Sequence, residues 1–342
     1  MRSLSRLLSL VVLILAAAGL PARAQNYHVT ATYKLGGDGG WDYLALDTVG
    51  HRLFIARQDR VMVVNPSTGA LLGEIPGLSR AHGVAFAYAA GHGFATSGAD
   101  STVRMFDLNT LAVVGTTVAA IDDDGILFDP ATSHIVTMNG DAGSASVLDA
   151  WTGHLLSNIA LGGKPEFGVS SGDGKLYINL EDKSEVVEVD AKAMRVLRHW
   201  SLAPCENPSG LAIDREHHRL FSGCRNGMMA VSDAVAGRLV TTVPIGRGVD
   251  ANRFDPGTQL AFASNGDGTL TVVHEDTPDT YTVVSNATTQ RGARTMEIDL
   301  ATHRVYTVSA EFGPAPAPTP AQPRPRPSIV PGSFTLFVLE PQ

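Results

Sequence analysis

The 342-residue chain has only two cysteines, few aromatic residues (6%) and fewer basic than acidic side chains, 26 against 34. Two cysteines exclude a disulfide-dense scaffold and a four-thiolate metal centre. The formal charge of −8 at pH 7 opposes non-specific contact with nucleic acid, which calls for basic surface. Beyond residue 24 no apolar run is long enough to span a bilayer. Gly36-Gly37-Asp38-Gly39-Gly40 is glycine-rich but lacks the lysine and the helix of a phosphate loop; it is read as the turn into the first repeat. Asp, His and Ser occur as scattered residues, so a serine hydrolase is not expected. Asp141-Ala142-Gly143-Ser144 and Asn265-Gly266-Asp267-Gly268 look like cation loops in isolation. Neither completes an EF-hand, and both suit tight strand connections.

What is present is turn-forming residues and short apolar runs. Glycine (35) and proline (19) suit many turns and oppose long helices. From Pro165 to Asp190 the apolar residues alternate: Phe167 and Val169, then Leu176, Ile178 and Leu180, then Val187 and Val189. Gly172-Asp173-Gly174 parts the first two runs, and Asp182 to Ser184 parts the next two. Alternation at period two marks half-buried strands, and connections this short mark antiparallel hairpins. A fourth strand is expected at Arg195 to Trp200. The same phrase recurs along the chain. Aligning its first turn gives Asp42, His82, Asp124, Glu166, Ser209, Asp250 and Arg294, spaced by 40, 42, 42, 43, 41 and 44 residues. A lone four-stranded sheet cannot bury both faces, whereas sheets stacked radially can. The repeat therefore predicts an all-β, seven-bladed β-propeller of four-stranded antiparallel blades.

Met1 to Ala24 reads as a signal peptide. Arg2 and Arg6 make a basic start, Leu7 to Leu20 is an apolar core, and Ala22-Arg23-Ala24 fits a cleavage site. Export to the periplasm or beyond follows, with residues 25–342 as a single propeller domain and no transmembrane segment in the mature chain. In an oxidising compartment Cys205 and Cys224 are expected to pair, since a hairpin of the fifth repeat folds them together. Tyr27 to Leu35 alternates like a closing strand but follows no repeat, and Phe334 to Leu339 lacks a following partner. The N-terminal strand is therefore expected to complete the last blade, which removes two free sheet edges. A Pro-rich insertion at 313–332 interrupts blade seven and reads as an exposed loop, either a tolerated insertion or a docking site for a partner or the cell envelope.

Lys175-Leu176-Tyr177-Ile178-Asn179 and His303-Arg304-Val305-Tyr306-Thr307, with Val186 to Asp190 and the strand at Arg195, resemble the YVTN-type β-propeller family of exported bacterial proteins. The chain departs from the tetrad elsewhere, as in Phe54-Ile55-Ala56-Arg57 and Phe262-Ala263-Ser264-Asn265. The resemblance implies seven blades over nearly the whole mature chain. It selects no activity, because propellers serve as enzymes and as scaffolds.

In a propeller the seven aligned residues approach one channel mouth. Asp42, His82, Asp124, Glu166, Asp250 and Arg294 are the candidate ligand-binding set, with Asp122, Asp123, Glu206, Asn207 and Arg247 nearby. No cofactor is required by a compact motif. Carboxylates with an imidazole could still hold a divalent cation such as calcium, magnesium or zinc, with His82, Glu166, Asp250 and Asp42 as metal ligands. Arg294 with Arg247 could receive a carboxylate, between walls of Trp41, Tyr43 and Phe167. The expectation is an exported propeller that binds a small molecule or an envelope protein at this mouth without turnover. The alternative is a metal-dependent lactonase or lyase at the same place, with His82, Glu166 and Arg294 catalytic. A polar mouth that merely hydrates the channel is the plain reading against both. A second row, Arg57, Ser97, Asn139, Leu180, Cys224, Asn265 and Ser309, faces either the channel end or the blade loops and is read as turn-forming and hydrogen-bonding, which leaves the first row the better site candidate. His217-His218 is read as a surface turn.

Overall fold

The computed structural model describes residues 26–319, 325 and 327–342. The segment read as a signal peptide lies outside the described residues, as do 320–324 and 326 of the Pro-rich insertion. The described chain forms seven four-stranded antiparallel sheets, each ordered from first strand to fourth. Blade four is Pro165–Ser170, Lys175–Leu180, Glu185–Asp190 and Arg195–Ser201. Blade seven is Met296–Asp299, Arg304–Ser309, Thr335–Pro341 and, outermost, Tyr27–Lys34. Tyr27 pairs with Pro341 and Lys34 with Thr335, so the N-terminal strand closes the last blade as expected. The first strands touch one another in a closed ring, blade seven meeting blade one.

Two fourth strands have bounds that the repeat alone does not mark. Blade three has a fourth strand, Leu155–Ala160, which its weak alternation concealed. The fourth strand of blade two is Val113–Val118. Leu111 belongs to the turn, with φ of 62°.

The core is divided by the radial geometry. Seven apolar clusters are found among the described residues, each shared by two adjacent blades. Leu127, Val136 and Met138 of blade three, for example, pack on Leu176, Ile178 and Leu180 of blade four. Each such side chain stabilises by about 1.5–3 kcal/mol when fully buried, so no blade is stable without its neighbours. Inner strands must also approach closely. A Cβ on Gly125 would come within 2.7 Å of the Glu166 carbonyl oxygen, and one on Gly210 within 2.6 Å of the Asn252 nitrogen.

The glycine-rich turn does lead from the closing strand into blade one, and it has a further task. Arg57 is fully buried and donates to the carbonyls of Gly36, Gly37, Asp38, Gly39 and Gly40. Its guanidinium carbon lies 3.7 Å from the Phe334 ring centre. Cys205 and Cys224 form a disulfide that ties the entry of blade five to the end of its second strand.

Candidate functional site

Six of the seven aligned residues are the second residue of a first strand: Asp42, His82, Asp124, Glu166, Ser209 and Asp250. Arg294 lies two residues before the first strand of blade seven. Each of the six strands breaks its pairing register at this point, for instance between Trp41 and Leu44 and between Asp123 and Ile126. A bulge re-aims a side chain that regular pairing would place between blades. Here it re-aims six distant side chains at one end of the channel, and Arg294 joins them from the loop before blade seven.

They meet in two connected groups. His82 Nδ1 is 2.6 Å from Asp42 Oδ2 and 3.3 Å from Asp124 Oδ1. The ligand atoms of Asp42, His82 and Asp124 all lie within 4.8 Å of one another. On the other side Ser209 Oγ is 3.2 Å from Glu166 Oε1 and donates to Asp250 Oδ1 at 2.7 Å. Asp250 also accepts from Arg294 Nε. All four carboxylates, His82 and Arg294 line one cavity of about 1040 Å³. Of the sequence-derived metal set, Asp42 and His82 fall together, with Asp124 as their third partner, while Glu166 and Asp250 join through Ser209.

The electrostatics follow from burial. It raises Asp124 to about 8, with the Asp42 charge adding to it. It raises Glu166 well above its ordinary value, helped by Asp124 and Asp250. Asp42 is also raised, burial outweighing the His82 hydrogen bond. Burial alone would lower His82, but the Asp42 hydrogen bond and the charges of Asp124 and Asp42 hold it above its ordinary value. Burial likewise opposes the charge on Arg294, and Asp250 and Asp42 more than compensate. Ionising Asp42, Asp124 and Glu166 together is costly without a cation between them.

Tyr43 lines the cavity, and its ring lies 4.8 Å from that of Phe167. Blades one and four are not neighbours, so this contact crosses the channel; Phe167, expected as a wall, packs on Tyr43 and is not itself part of the lining. Below it Arg253 pairs bidentately with Glu297, at 2.8 and 3.1 Å. Trp41 is a wall, as expected. Arg225 and Arg291 line the rim, whereas Arg247 is not part of the lining.

Three features escaped the sequence. The second row pairs with the starts of the first strands, as in Trp41 with Arg57 and Pro165 with Leu180, so it lies at this same mouth, one strand outward. The base of the Pro-rich insertion is pinned by a bridge between Phe312 and Ile329, and both residues line the cavity. The third is a second trio, Asp214, His217 and Glu275, which brings His217 out of its plain surface role. The stretch Gly168-Val169-Ser170-Ser171-Gly172 does have the spacing of a nucleophile elbow. Ser170 lies at the other end of its strand, however, and donates to Asp129 Oδ1 at 2.6 Å, so it acts in the hairpin.

The fold defines the chain as a seven-bladed β-propeller. No family model and no curated protein matches it. Among solved structures the chain is similar to U3-55K, with 11% identity and a TM-score of 0.71, over 90% of this chain and 98% of that one. An identity this low establishes the shared architecture and nothing about activity. It supports a propeller in general rather than the YVTN-type family in particular. No helix among the described residues is long and apolar enough to cross a membrane.

Proposed function

We propose that the protein binds a small molecule at the channel mouth, around a divalent cation held by Asp42, His82 and Asp124, without turnover. The observation that carries this reading is the convergence of three ligand atoms within 4.8 Å on the wall of a ligand-sized cavity. A divalent cation would replace protons held on crowded carboxyl groups, which is why this cluster favours one. Glu166, Asp250 and Arg294 would then contact the organic ligand, beside Tyr43. The resemblance to YVTN-type repeats and the leader-like start support an exported protein; mass spectrometry of the secreted chain should find Gln25 first. Binding is favoured over lactonase or lyase chemistry by the pose of His82. Its Nδ1 faces the carboxylates, while its Nε2 is buried without a partner next to Gly98, where a Cβ would come within 2.9 Å. A ring that spends Nδ1 on a cation has no second nitrogen facing the cavity to act as a base.

The test is calorimetric titration of chelator-treated protein with calcium, magnesium and zinc, repeated on His82→Ala and Asp124→Asn. Binding of at least one of these cations should weaken in both variants. Unchanged binding in both, or no binding by the unaltered protein, would end the reading.

A further inference from the structure

The opposite ends of the first strands carry turn residues, and at one of them two further ligand-type side chains converge. Asp214 ends the first strand of blade five, His217 follows in its turn, and Glu275 reaches over from the third strand of blade six. His217 Nδ1 lies 2.7 Å from Asp214 Oδ2 and 3.2 Å from Glu275 Oε1. The three ligand atoms fall within 4.8 Å of one another. The side chains of Asp214 and Glu275 are each 1% exposed, while that of His217 is 33% exposed and opens the group to solvent.

Asp214 has an ordinary task as well, accepting the Glu216 and His217 N–H groups at 2.9 and 3.2 Å. Glu275 has none. Neither of its carboxyl oxygens receives an aligned hydrogen bond, and His217 Nδ1 makes none despite its short separations. The nearby Arg219 guanidinium is committed to Asp233, Asp279 and the carbonyls of Pro278 and His217. A carboxylate taken out of water without a donor is costly. This one is aimed at an imidazole and a second carboxylate on the neighbouring blade.

We propose that Asp214, His217 and Glu275 bind a zinc-type divalent cation that clamps blade five to blade six on the face away from the mouth. One imidazole nitrogen and two carboxylates suit tetrahedral zinc with a water as fourth ligand, whereas calcium takes six to eight oxygens. Ligand atoms around tetrahedral zinc lie roughly 3.3 Å apart, close to the two separations from His217 Nδ1. The site is independent of the mouth.

Zinc titration of the chelator-treated full chain tests it, with equilibrium dialysis for stoichiometry and thermal unfolding as a second readout. His82→Ala should retain zinc binding at the blade five–six site, and zinc should still raise its unfolding temperature. Adding Glu275→Gln, or separately His217→Gln, should abolish that retained binding and the temperature rise. Glu275→Gln keeps the side-chain shape, and circular dichroism checks that the variant is folded. Unchanged zinc stoichiometry in folded Glu275→Gln protein would overturn the proposal, as would an unaltered chain that binds zinc only where His82→Ala removes it. Failure of the mouth reading, seen as equal binding with and without His82, leaves this outcome untouched.

Discussion

The two ends of the innermost strands are built on different rules. Away from the mouth, five of the seven strands end on aspartate, at Asp47, Asp129, Asp214, Asp255 and Asp299, and blade four ends on Ser170. These side chains accept N–H groups of the following turn, as Asp47 does from Val49 and Gly50, Asp299 from Ala301, and Ser170 from Gly172. One residue type repeated is what a repeated structural task produces. At the mouth the same backbone presents Asp, His, Asp, Glu, Ser, Asp and Arg in turn. The repeat supplies the positions there but does not dictate the chemistry, which is where a binding role is to be sought.

The largest expected effect contrasts the two ends by pH. Burial, above all, raises Asp124 to about 8 and Asp123 to about 7, while an unfolded aspartate titrates near ~3.9. The folded state thus keeps protons that the unfolded chain releases. The stability from these groups is complete below about pH 4 and is lost as pH rises toward about 8. Asp47 runs the other way: burial pushes it up, but the Gly50 N–H and Arg52 outweigh it and hold it low. Its contribution is present above the ordinary aspartate range and lost as pH falls below it. Cation-free protein should therefore be most stable in mildly acidic solution and lose several kcal/mol toward pH 9, as denaturant titrations would show. A maximum above pH 7 would mean that the mouth carboxylates do not feel their burial.

Next in size is the disulfide. Cys224→Ser should cost about 3 kcal/mol, because a loop of this order is released in the unfolded chain, and urea unfolding would measure it. Little change would mean that the neighbouring blades already hold the entry of blade five. Replacing both Asp42 and Asp124 by Asn should weaken cation binding at the mouth by about a hundredfold, read by calorimetry, without lowering thermal stability. A destabilised double variant would make the mouth as structural as the far end. The smallest effect belongs to that far end. Asp299→Ala should cost about 1 kcal/mol through its lost turn hydrogen bonds and leave cation affinity unchanged.

Much of this contrast is legible in the sequence. The spacing of Asp42, His82, Asp124, Glu166, Ser209, Asp250 and Arg294 is a property of the backbone repeat, so aligning the repeat finds the mouth. The unpartnered alternation of Tyr27 to Leu35 likewise reveals the closing strand. Which mouth residues pair is a different matter. Ser209 bridges Glu166 to Asp250 while His82 turns to Asp42 and Asp124, and those choices depend on local bulges that leave no periodic trace. Glu275 meets His217 across two blades at a spacing unrelated to the repeat. Phe312 and Ile329 reach the cavity only because the ends of their insertion are bridged, which its proline content hides.

Closure by the first described strand has a consequence for handling the molecule. Tyr27–Lys34 and Thr335–Pro341 are partners on the outer part of blade seven, so the circle cannot be completed until both of these strands are available together. A tether attached ahead of Tyr27 would leave from the rim of the disc, far from the axis. Immobilising the protein by that end should therefore keep the central opening free for whatever enters it.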